Sequence, residues 1–350
     1  MLTMKRIAFF FLLLLVNIQL FAWTSPVSLP DIGSPRLRIV GQNAQNYLTD
    51  FTAYNSSCSN QAEFDAKTDK MANVFIALEA DIVAMCEVEE NDTVMRFICD
   101  AMNTLAQTDV YTFITDGLKS SQSSSGYTPT KAGYIYRKDK VTPEGKSYSP
   151  YTSLSSAYAA RMRIQAFKET ATGEVFTLSM NHFKAKDNSA DQSESVRMEN
   201  VNKLIAALKR ISYDPDILVM GDLNAYPGEA PLNRLEEVGY EEQLLRFDAN
   251  AYSYNYKGER GLLDHVYANE PMAEQVTGAK VYHINTSGSY TYRYSDHDAY
   301  IVGLNLGNSE GMEKVQEAPA ARKILWQGNI YIEINGQVFD CMGRKVGNEQ

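Results

Sequence analysis

The chain predicts an α/β fold in which two β-sheets pack face to face with helices on their outer faces. Three observations carry this expectation. Short apolar runs that read as strands outnumber the stretches with helical periodicity. Amphipathic helices fall between some of those strands. Six of the apolar runs also end in a side chain able to handle a metal or a proton, which turns alone rarely produce. At 350 residues, with 44% apolar and 22% charged, the chain suits one large domain plus appendages.

At the N-terminus, Lys5-Arg6 precede an apolar run over 7–16 and a mixed stretch to Ala22, the three regions of a signal peptide over residues 1–22. The run stops at Asn17, too short for a comfortable membrane span, so no stable span is expected in the mature chain. Residues 36–40 alternate into a strand that ends at Gly41-Gln42-Asn43-Ala44-Gln45-Asn46. Phe64, Met71, Val74, Phe75 and Leu78 recur at helical spacing across 63–79, and 81–85 is a core strand running into Cys86-Glu87. A second amphipathic helix covers 94–105, residues 120–126 are a flexible loop by composition, and 133–137 is a short strand.

Residues 161–167 alternate polar and apolar, as a strand with one wet face should. That face carries Arg161 and Arg163, either as a phosphate contact or as solvated surface. The strand 174–180 delivers His182, and a helix over 193–210 packs Val196, Leu204, Ile205 and Leu208. Tyr252, Tyr254 and Tyr256 alternate along a further strand, where cross-strand packing is the expected role. Strands at 262–267 and 299–304 complete the sheets, the first carrying Asp264-His265 and the second preceded by 292–294 and Ser295-Asp296-His297-Asp298.

The stretch 216–224 organises the rest: Ile217, Leu218, Val219 and Met220 read as a strand buried on both faces, broken by Gly221 and followed by Asp222 and Asn224. A carboxylate two residues from an amide suits a site that holds a cation or a water beside a phosphate. Turns favour the same residues, so the pair gains meaning only from the other strand ends. Water needs a base at neutral pH, and a histidine oriented by a carboxylate supplies one. The net charge of −10 argues against binding long nucleic acid by overall electrostatics, but a bound cation and a local basic patch leave nuclease chemistry open. Cys58, Cys86, Cys99 and Cys341 lack metal-type spacing; Cys86 reads as a buried free thiol and any pairing is open.

These stretches, 180–186 and 218–224 above all, resemble the endonuclease/exonuclease/phosphatase superfamily, the group of pancreatic-type DNase, sphingomyelinases and inositol-phosphate phosphatases, and within it exported bacterial nuclease-like members. The resemblance covers 36–306 and implies a four-layer α/β-sandwich with two mainly antiparallel sheets, hydrolysing phosphoric esters with magnesium, or manganese or calcium. It implies Asn43 and Glu87 as the metal pair and Asp296 as a further site carboxylate. Asp222 and Asn224 position water and phosphate, His182 contacts the phosphate, His297 transfers the proton and Asp264 orients it. His265 and His283 read as structural. The sequence departs from the family pattern at Gln45, where many relatives carry a carboxylate, and at Arg161-Met162-Arg163, where prolines often follow the first arginine.

The expected activity is that of an exported metal-dependent phosphodiesterase, a nuclease with nucleic acid as its substrate. A sphingomyelinase-like enzyme or an inositol-phosphate phosphatase is the alternative, and an exposed aromatic hairpin, not evident in the sequence, would favour the lipid version. A non-catalytic binding module is a third reading, against which the set Asp222, Asn224, Asp264 and His297 argues. After a loose linker over 307–322, residues 323–350 form a small β-unit with Asn335-Gly336 as a hairpin turn. It resembles a sorting segment read by export machinery, leaving periplasmic, cell-surface and extracellular fates open.

Overall fold

The computed structural model describes residues 28–307, apart from 116, 118–124, 154–155, 188, 212–213 and 287–290, and three strands within 322–339. The leader, the linker interior, Asn335-Gly336 and Cys341 lie outside the described residues. The chain divides into two compact units, Met1–Asn305 and Leu306–Gln350.

The larger unit runs β1 (Leu37–Tyr47), α1 (Gln61–Ala77), β2 (Ile82–Glu89), α2 (Thr93–Ala106), β3 (Tyr111–Phe113), β4 (Thr130–Arg137), β5 (Val141–Tyr148), α3 (Tyr158–Arg161), β6 (Met162–Glu169) and β7 (Val175–His182). It continues through α4 (Ala190–Ile211), β8 (Ile217–Asp222), α5 (Ala230–Glu236), β9 (Tyr240–Glu242), α6 (Gln243–Phe247), β10 (Tyr254–Tyr256), β11 (Glu259–Gly261), β12 (Asp264–Asn269), α7 (Glu270–Ala273), β13 (Val276–Tyr282) and β14 (Ala299–Leu304). One sheet has the order β13-β14-β1-β2-β4-β3 and the other β5-β6-β7-β8-β12-β9. Each contains a single parallel pair, β1 with β2 and β7 with β8, bridged by the helices α1 and α4. The sheets are therefore mainly antiparallel, with a helical crossover at the centre of each.

Strand parity separates the layers. Val83, Met85 and Val88 of β2 pack against Phe64, Met71, Phe75 and Ile98 of α1 and α2. On the second sheet Ile217 and Val219 pack against Val201, Leu204 and Leu208 of α4. The intervening residues Ala84, Leu218 and Met220 are also fully buried, because they face the opposite sheet. Tyr134 of β4 ties the sheets together: its hydroxyl donates to Arg163 O (2.6 Å) and accepts from Met180 N (2.9 Å).

β1 runs through the expected end stretch 41–46 to Tyr47, with Gln45 and Asn46 left-handed (φ 50° and 41°). The structure corrects two expectations. The strand from 162 has no wet face: Arg163 and Gln165 are 1% exposed, because they share the face of Met180 and Leu178 that looks at the other sheet, where Phe167 of the same parity meets Tyr134 and Tyr136 of β4. Arg163 donates to Ala159 O, and Gln165 bonds to Ser147 and to Glu144 O. Residues 292–294 form a loop instead of a strand, held by side-chain bonds. Asn285 accepts from the N–H groups of Tyr294 and Ser295, while Asp298 accepts from those of Ile284, Asn285 and Thr286.

In the smaller unit β15 (Arg322–Trp326), β16 (Asn329–Ile334) and β17 (Gln337–Phe339) form an antiparallel three-stranded sheet, whose β16–β17 pairing brackets residues 335–336.

Candidate active site

The strand ends named by the sequence converge on one edge of the sandwich. Asn43, Glu87, His182 and Asp222 lie at or near the C-terminal ends of β1, β2, β7 and β8. Asp264 opens β12 and His297 precedes β14, which run antiparallel to β8 and β1, so their starts reach the same edge. Asp264 is the register partner of Asp222. Glu87 would face the helices in a regular strand; a bulge between Met85 and Val88, with Glu87 at φ 57°, turns it inward. Gly221 is required by close approach: at φ 138°, an added Cβ would lie 1.9 Å from Asn181 O on β7.

Asn43 Nδ2 donates to Glu87 Oε1 and to Asp222 Oδ2, both at 3.0 Å. His182 Nε2 lies 3.4 Å from Glu87 Oε1 and 3.8 Å from Asp222 Oδ2. His297 Nδ1 meets Asp264 Oδ2 at 2.6 Å, and its Nε2 lies 3.8 Å from Asp222 Oδ2. Asn224 lines the same cleft; its N–H donates to Asp222 Oδ1 (3.0 Å) and its Nδ2 to Phe183 O (3.2 Å). Asp296 is half-buried beside this group and interacts through space with His297 and Glu87.

Burial governs the electrostatics and is then opposed or reinforced by neighbours. Burial pushes Asp222 up to about 7, with Asp264 and Glu87 adding to it against the pull of His297. Burial would raise Glu87 too, but His182, the Asn43 amide, His297 and the Asn46 N–H outweigh it and leave that carboxyl low. Burial draws His182 down to about 4, so it is neutral near pH 7. His297 is equally desolvated, yet Asp264, Asp222 and Asp296 hold it well above the ordinary histidine range.

A family model, the endonuclease/exonuclease/phosphatase family, matches residues 52–297. The chain belongs to this family. Its members hydrolyse phosphoric esters, typically with a divalent cation, and the chain is an enzyme of that class. Among solved structures, a family protein from Bacteroides vulgatus is similar at 17% identity and TM-score 0.57, covering 77% of this chain and 98% of that one. A mannosyl-6-phosphatase from Bacteroides thetaiotaomicron follows at 16% identity and TM-score 0.56, covering 77% and 99%. TDP2 from D. rerio, complexed with a single-strand DNA product, matches at 14% identity and TM-score 0.50, covering 77% and 98%. At these identities the likeness shows the α/β-sandwich fold. No curated protein matches the chain by sequence.

The donor set fits the family's cation. Glu87, His182 and Asp222 offer ligand atoms within 4.8 Å of one another, as do Asp222, Asp264 and His297. Carboxylate oxygens with an imidazole suit magnesium, manganese or calcium. Two buried atoms there, His182 Nδ1 and Asp264 Oδ1, have no hydrogen-bond partner among the described residues. Of the three expected metal residues, Glu87 is in a cluster, Asn43 touches two of its carboxylates, and Asp296 is in neither cluster. Gln45 lines a separate cavity with Ser57, Lys67 and Lys70 and is not among the residues lining the cleft.

Other groups received no such role from the sequence or a different one. His265 bonds to Ala225 O and His283 to Asp298, structural roles as expected. The tyrosines do more than cross-strand packing: Tyr254 lies over the His297 ring at 4.6 Å, and Tyr226, Tyr254 and Tyr256 line the cleft of about 420 Å³. The aromatic hairpin not evident in the sequence is β10–β11, with Tyr256 55% exposed. Asn285 and Asp298, which position His297, were also missed, since only its local Ser-Asp-His-Asp context marked the loop.

Proposed function

We propose that this protein is an exported phosphodiesterase that cleaves nucleic acid at this cleft, with His297 moving the proton. The observation that carries the reading is the buried His297–Asp264 pair at 2.6 Å, set at the edge of the acidic cluster. Asp264 on Nδ1 leaves Nε2 facing Asp222 and the cleft, where the ring, once it has lost its Nε2 proton, takes the proton of an attacking water. The carboxylates around the ring stabilise the imidazolium that results, which is the physical meaning of its raised pKa. Asp222 and Asn224 orient the water and phosphate, and neutral His182 contacts the phosphate. Glu87 and Asp222, with Asn43 and His182 alongside, would hold the cation, and Asp296 adds negative potential from outside the clusters. When bound there, such a cation would offset the negative charge that builds on the phosphoryl oxygens.

Support for nucleic acid comes from the bound product in TDP2 and from the sequence resemblance. Support for export is the leader over 1–22 and the sorting-like tail over 323–350. A second reading, a phosphatase for small phosphate esters, is favoured by one observation. Lys186 in the cleft lining is paired with Glu229, and Lys184 two residues before it with Asp187, so these two lysines are not bare phosphate contacts. The test is purified protein against DNA, RNA, bis-p-nitrophenyl phosphate, a hexose phosphate and sphingomyelin, each with magnesium, manganese, calcium or chelator. Cleavage of DNA or RNA that chelator abolishes supports the proposal. Turnover of the hexose phosphate alone selects the second reading, and turnover indifferent to chelator refutes the cation's role.

A further inference from the structure

We infer that Tyr226, Tyr254 and Tyr256 form an aromatic subsite that holds a flat-faced ring carried by the substrate, so that the enzyme prefers phosphoesters bearing such a ring. This rests on the phosphoester hydrolase reading of the same cleft and adds what lies beside the phosphate.

Each tyrosine is placed by a different local device. Tyr254 is backed by His297, with ring centroids 4.6 Å apart, and pairs with it as an isolated bridge. Tyr256 closes β10 before the two-residue loop Lys257-Gly258, both at positive φ (52° and 93°), and pairs with Glu259. This is the geometry of a tight primed turn, which holds the hairpin rigid. Tyr226 packs on Gly261 at the other end of that hairpin, where an added Cβ would lie 2.4 Å from its ring. Lys186 stands over the Tyr226 ring at 4.9 Å while paired with Glu229 at 2.6 Å.

Tyr254, against the proton-transfer histidine, is half-buried, while Tyr226 is 36% and Tyr256 55% exposed. Apolar ring surface kept in water beside a polar site is costly to leave uncovered, and tyrosine gives large contact area with few rotors to immobilise. Stacking is tolerant of which ring is offered, because every base, and one face of a sugar, presents a flat apolar surface. The cleft of about 420 Å³ suits a nucleotide-sized group, and Lys186 in its lining is already paired with Glu229, so ring contact adds to the selection of the substrate beside the phosphate.

The test uses two pairs of substrates: a thymidine dinucleotide against the same dinucleotide with an abasic residue, which lacks the base ring, and a hexose 6-phosphate against glycerol 3-phosphate, which lacks the sugar ring. Wild type, Tyr256→Ala and Tyr256→Phe are compared as the full chain with magnesium. The expected result is that Tyr256→Ala lowers the ratio of kcat/KM for the ring-bearing over the ring-less member by about fivefold or more, while Tyr256→Phe keeps it. A fall in the dinucleotide pair identifies a base, and a fall in the hexose pair a sugar ring; either supports the subsite. Ratios unmoved in both pairs, with wild type active, overturn the subsite and leave the hydrolase reading standing. Wild type inert on all four substrates would sink both. Unmoved ratios accompanied by lost sedimentation with sphingomyelin–phosphatidylcholine vesicles would instead make the hairpin a membrane contact.

Discussion

Replacing Asp264 by asparagine tests the proton-transfer assignment most directly. The side chain keeps its shape but loses its charge at a 2.6 Å contact in a fully buried position. Asparagine has two ways to sit. With its oxygen on His297 Nδ1 the tautomer survives, but the amide nitrogen replaces Asp264 Oδ1, a buried atom without a partner among the described residues. With its nitrogen on Nδ1 the ring must carry its proton on Nε2, which removes the lone pair aimed at the cleft. A hydrogen bond to a charged group contributes about 1.5–3 kcal/mol, so the loss corresponds to roughly a ten- to hundredfold drop in turnover. His297→Ala deletes the base itself and should cost more, about 10²–10⁴-fold.

The pH profile supplies an independent readout. Asp264 is a leading cause of the raised His297 pKa, so in Asp264→Asn the acidic limb of kcat/KM should move to lower pH. Stability gives the sign a second time. Because the folded His297 value is raised, the contribution is fully present below the unfolded value of about 6.5 and is lost as pH rises through the folded one. The gap between wild type and variant in urea unfolding should therefore be widest at acidic pH and narrow as pH rises. Bis-p-nitrophenyl phosphate hydrolysis across about pH 5–9 measures the first effect. Unchanged turnover with an unshifted limb would refute the pairing.

Three further outcomes are expected. Gln45→Glu should leave the magnesium concentration for half-maximal activity unchanged, because Gln45 lines the Lys67 cavity and not the cleft; a lowered requirement in a metal titration would place it at the cation. Gly221→Ala should lose more than about 3 kcal/mol in urea unfolding, since its Cβ would overlap Asn181 O at 1.9 Å and φ is 138°. Deleting 308–350 should change where the protein resides while the purified 28–307 domain keeps its turnover, every candidate side chain lying before the cut; turnover lost with folding retained, seen by circular dichroism, would put the tail at the cleft.

The chemistry of the edge is written in the amino-acid order alone. Strand ends are local features: a run such as 217–220 must be buried, and the residues after it must leave the sheet, so Asp222 and Asn224 could be read without knowing a neighbour. The same logic reached Glu87, His182, Asp264 and His297, which the fold gathers within hydrogen-bonding or ionic distance of one another. Features that depend on non-local packing were not legible. Arg163 alternates like a surface residue and is buried because distant segments cover it. Glu87 reaches the site only through a bulge, and Gly221 is explained by a carbonyl on a different strand. Gln45 follows Asn43 by two residues, as a ligand would, but the left-handed turn there carries it to another cavity. The tyrosines of β10 alternate as packing residues do, and only the meeting of the 254–261 hairpin with His297 makes them a wall of the cleft. Periodicity records which residues avoid water, whereas the partner that takes the water's place is chosen by sheet register and chain crossover, which no local pattern encodes.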